Sequence, residues 1–119
     1  MKEEKFKVIQ FIREFIIKVD TELENYPKKD IEIKNKIRNE SYNLLEISYE
    51  ANGTINNERR IELLEKGIAK IKVIDFLLNL SYDKQIISGK KYLKLGSKLE
   101  DIIKYITGWS KKTYEDMNK

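Results

Sequence analysis

The chain has 119 residues, enough for one well-filled core and little more, so a single domain over residues 1–119 is expected. A composition of 40% hydrophobic and 37% charged residues is too apolar for a disordered chain, and five Gly with one Pro are too few for a turn-dense β-sandwich. The absence of Cys and His excludes disulfides, thiolate and imidazole catalysis, and zinc, haem and iron–sulfur ligation, while a net charge of +4 permits nucleic-acid binding without demanding it.

In chain order, Ile9, Ile12, Ile16, Val19 and Leu23 recur at alternating spacings of three and four, the seam of an amphipathic helix expected over about 5–24. Asn25-Tyr26-Pro27 ends it, because Pro27 disfavours helical geometry in Tyr26 and lacks a backbone donor. A second helix is expected over 30–52, capped by Asp30, with Ile33, Ile37, Ser41, Leu44, Ser48 and Ala51 on one face. Asn52-Gly53 reads as its stop, with Gly53 as a left-handed terminal glycine.

Asn56 or Asn57 caps a third helix over 57–82, whose seam Ile61, Leu64, Ile68 and Ile71 broadens through Val73, Ile74, Leu77, Leu78 and Leu80. Ser88 caps the last helix, 88–112, along which Tyr92, Leu95, Leu99, Ile102, Ile106 and Trp109 keep the same spacing for five turns. Beyond Lys112 the polar tail is expected to fray. Four such helices with short connections predict an all-α fold, an antiparallel up-down-up-down four-helix bundle.

No fully apolar run exceeds three residues, as in Phe15-Ile16-Ile17, so neither a membrane span nor a signal peptide is expected and the chain reads as cytoplasmic. Catalysis has little to draw on. Helical ribonucleases and di-iron bundles need His, Glu22, Glu24, Glu46, Glu50, Glu62 and Glu65 fall mostly beside the seams as a solvated face, and the five glycines form no phosphate loop. No catalytic residue, metal ligand or cofactor is assigned.

Two features point to binding. Val8, Phe11 and Phe15 add a second apolar stripe to the first helix; either it covers an oligomer or partner interface, or this helix is simply the most buried. The segment from Lys84 to Lys112 holds eight lysines against Glu100 and Asp101, an excess of +6. Lys90, Lys94 and Lys98 form a ridge along one side of the last helix, with Lys91, Lys111 and Lys112 nearby, suited to a phosphate backbone. Tyr105 and Tyr114 are candidates for stacking on unpaired bases. The alternative is that these lysines only keep the surface soluble.

Tyr26-Pro27-Lys28 after the first helix, Ala51, Leu63-Leu64, Tyr92-x-x-Leu95 and the close Ile106-Thr107-Gly108-Trp109 are landmarks shared across roughly residues 6–112 with one family. The chain resembles the four-helix bundles that include the accessory variability determinant of diversity-generating retroelements and the proteins of 23S ribosomal RNA intervening sequences. Thr107 stands where a Gly-Gly-Trp close would have its first glycine. The resemblance implies a non-enzymatic accessory protein, a homopentameric ring that binds RNA or cDNA and, in the retroelement branch, a reverse transcriptase. Trp109 is then a core residue or a partner contact. The competing reading is a structural or regulatory protein-interaction module with no nucleic-acid role.

Overall fold

The computed structural model describes the chain from Lys2 to Lys119, with side chains from Lys5 onward. Four α-helices follow one another: α1 (Lys2–Leu23), α2 (Ile31–Gly53), α3 (Asn57–Asp83) and α4 (Gly89–Met117), with a single 3-10 turn at Lys28–Asp30. They pack as a bundle 52 × 22 × 19 Å in extent, elongated by helices of which the longest, α4 with 29 residues, spans about 44 Å at about 1.5 Å per residue. Each helix packs against two others, α1 on α2 and α4, and α3 on α2 and α4.

The core is one continuous cluster. From α4 it takes Leu95, Leu99, Ile102, Ile106 and Trp109, the expected seam with only Tyr92 left half-buried. From α2 come Ile37, Leu44, Ile47 and Ala51, and from α3 Leu63, Leu64, Ile71, Ile74 and Leu78. Gly67 brings α3 close to both neighbours, and a Cβ there would meet Leu44 at 3.5 Å and Ile106 at 3.7 Å. Ser41 and Ser48 return their buried hydroxyls to the carbonyls of Ile37 and Leu44, at 2.7 and 2.9 Å.

Helix α1 departs from expectation in phase. Val8 and Phe15 are fully buried and belong to the core with Ile12, Val19 and Leu23, so they do not form a surplus outer stripe. The reason is that α1 lies against both α2 and α4, which buries an arc wide enough to take the inner members of both apolar stripes. Ile9 and Ile16 are correspondingly only half-buried. Phe11 is half-buried edge-on to Tyr105, ring centroids 5.2 Å apart. Trp109, at 1% exposed, is a core residue and not a surface contact.

The connections also differ in detail. Asp30 precedes α2 but its side chain makes no capping bond; the carboxylate is buried and turns to Lys84 Nζ, 3.2 Å away. Gly53 is the last residue of α2 with negative φ, so no left-handed glycine ends the helix; Thr54 turns extended instead. Arg60 then ties the α2–α3 connection together, its Nε donating to Ala51 O at 2.9 Å and its guanidinium also reaching Thr54 O and Asn57 Oδ1. Asn56 and Ser88 cap α3 and α4 as expected, accepting from the backbone N–H of Arg59 and Lys91. The tail does not fray at Lys112: α4 continues to Met117 because Thr113 is fully buried and bonds Trp109 O at 2.8 Å.

Across the helix pairs, Phe11 meets Tyr105 and Glu22 meets Lys91 between α1 and α4. Glu40 meets Lys70 and Glu50 meets Arg59 between α2 and α3, while Gly67 faces Ile106 and Tyr82 stacks on Tyr92 between α3 and α4. Among the described residues no helix is long and apolar enough to cross a membrane.

Candidate nucleic-acid interface

The lysine ridge of α4 borders a groove. Burial of Leu95 and Leu99 against the core fixes the rotation of α4, which leaves Lys90 and Lys94 exposed and Lys98 half-buried at the edge facing α1. Across from them α1 presents Lys18, Thr21 and Glu22, and the two helices enclose a groove of about 440 Å³ floored by Leu95. Ser88, which opens α4, lines one end together with Lys91.

Charge in this groove is one-sided. Five lysines (18, 90, 91, 94 and 98) line it against one carboxylate, a formal +4 that equals the net charge of the entire chain. That carboxylate, Glu22, is engaged by Lys91 at 3.0 Å. The first turn of α4 carries no acidic residue, so the positive end of the helix dipole adds to the same field. Lys98 is the most compromised member, because it also borders a small recess of about 110 Å³ containing Glu14 and Asp101.

The other expected contacts lie elsewhere. Lys111 lines a separate shallow groove against α3, with Ile68, Thr107 and Tyr114. Lys112 shares the helical phase of Lys94 but stands about 27 Å farther along α4 by helix rise. The half-buried Tyr105 ring packs edge-on with Phe11 and has the ammonium groups of Lys7 and Lys104 5.7 and 5.6 Å from its centroid. Tyr114 is 60% exposed.

Lys18 is the residue that sequence reasoning missed. It flanks the buried Val19 on α1 and carries no mark in the sequence, because its place opposite Lys94 and Lys98 depends on how α1 and α4 pack, not on local periodicity.

Glu40, the most buried glutamate of α2, is held by Lys70 Nζ at 2.8 Å and Lys36 Nζ at 2.9 Å. Burial alone would raise its pKa, but the two lysines outweigh that and hold it below the usual carboxylate range. Among the described residues no group of three or more Asp or Glu is placed to hold a metal ion. No protein-family model, no curated protein and no solved structure matches this chain.

Proposed function

We propose that this chain is a non-enzymatic accessory protein that binds RNA or cDNA through its phosphates along the α1/α4 groove. The observation that carries this reading is the convergence of five lysines on one groove whose single carboxylate is already ion-paired. Such a surface releases counterions on binding and gives salt-sensitive, sequence-independent affinity. Following the resemblance drawn from the sequence, the partner is a reverse transcriptase of a diversity-generating retroelement, the assembly a homopentameric ring, and the location cytoplasmic.

The topology we propose is up-down-up-down with antiparallel neighbours. It is supported by the pairings between helices, in which residue numbers rise along one helix as they fall along the other: Phe11 with Tyr105 and then Glu22 with Lys91, or Glu40 with Lys70 and then Glu50 with Arg59.

Binding measured across a salt series tests the reading. On single strands the log–log slope is expected to become shallower by about 0.7 for each phosphate-binding lysine that is replaced. Replacing Lys90 and Lys94 with Glu is expected to weaken binding more than replacing Lys98, which already borders Glu14 and Asp101. Absence of binding at low salt, or unchanged affinity in these variants, overturns the assignment.

One observation favours the protein-interaction reading as second choice. Phe6 and Ile17 are 62% and 69% exposed on α1 and border a shallow recess with Ile9 and Arg13. If Phe6→Glu with Ile17→Glu abolishes a partner complex while nucleic acid fails to bind, this second reading stands.

A further inference from the structure

We infer that the α1/α4 groove takes a single strand, seating an unpaired base between the helices while Lys18 and the α4 lysines hold the flanking phosphates. This rests on the nucleic-acid reading above and commits it to one substrate class. The groove lies between two packed helices, whose axes in such bundles stand about 8–10 Å apart. A duplex keeps its bases paired and stacked inside, so it meets such a groove through its backbone and touches only the lysine rim. A single strand can lower a base into the opening.

The lining fits such a ligand in two parts. Leu95 and the methylene stems of the lysines make an apolar bed in a space of about 440 Å³, while the ammonium groups sit around its edge. A base loses water against the first as its phosphates meet the second, so one nucleotide satisfies both. Lys18 supplies the cation on the α1 side, and the charge then surrounds the strand from two helices. At the far end, Ser88 and the amino terminus of α4 place the positive pole of a 29-residue helix beside Lys90 and Lys91.

The test uses the full chain, with fluorescence anisotropy on a labelled oligothymidine and on a duplex of equal length at matched salt, and circular dichroism to check folding. The single strand is expected to bind at least about tenfold more tightly, because base burial adds to the phosphate contacts. Thr21→Leu, which fills part of the groove without removing charge or adding an aromatic face, is expected to reduce that preference with a smaller effect on duplex affinity. Lys18→Glu should weaken single-strand binding several-fold more than duplex binding. Equal affinity for the two polymers, with no response to Thr21→Leu, overturns the groove assignment and leaves rim binding of nucleic acid standing. Binding to neither polymer overturns the nucleic-acid reading itself, and this inference with it.

Discussion

Gln85 holds the left-handed region at φ 62°, the one non-glycine with positive φ among the described residues. Its N–H reaches Tyr82 O and the N–H of Ile86 reaches Ser81 O, both at 2.9 Å, the pair of bonds by which a left-handed residue closes a helix. A side chain is strained there, so Gln85→Gly is expected to raise unfolding stability by about 0.5–1 kcal/mol, read from the denaturant midpoint. Glu40 gives the pH prediction. Its carboxyl is held below its ordinary range when folded, so its contribution is complete above the unfolded-state pKa and is lost as pH falls through the folded one. Glu40→Gln is expected to cost about 1–3 kcal/mol at neutral pH, with the gap to the parent closing in acid. Tyr26-Pro27-Lys28 also acquires a physical role at this scale: Tyr26 is 7% exposed under the α1 terminus, and Pro27 turns extended to start the 3-10 turn.

Helices are legible where one apolar seam dominates. In α4 the spacing of Leu95, Leu99, Ile102, Ile106 and Trp109 names the buried face correctly, because a single stripe leaves one way to rotate the helix. In α1 two stripes compete, and only packing against both α2 and α4 chooses Val8 and Phe15 over Ile9 and Ile16. The end of α4 escapes the periodicity for a related reason: its polar tail conceals Thr113, which is buried and satisfies its hydroxyl within its own helix. Deleting residues 113–119 is therefore expected to destabilise the protein by about 1–3 kcal/mol, measurable by denaturant unfolding, whereas a frayed tail would cost nothing.

At the scale of the whole molecule, the modest +4 is unevenly spread. One groove carries as much net charge as the entire chain, which leaves the rest of the surface balanced. Assembly multiplies such a patch, and a ring of five copies would present five grooves to one polymer. Light scattering should find a species five times the 14.2 kDa chain, and a strictly monomeric protein removes the ring from the proposed function while leaving the groove intact.

The sequence by itself determined the four helices, their breaks, two of their caps and most of the core, since each follows from neighbours within a turn or two of the chain. It also carried the Lys90, Lys94 and Lys98 ridge, a matter of spacing along one helix. Only the tertiary structure decided which face of α1 is buried, that Asp30 and Glu40 are interior ion-pair partners, and that Lys18 joins the ridge across a groove. Those outcomes depend on the rotation and register of helices separated by many residues, and helical periodicity, which repeats every 3.6 residues, carries no information about them.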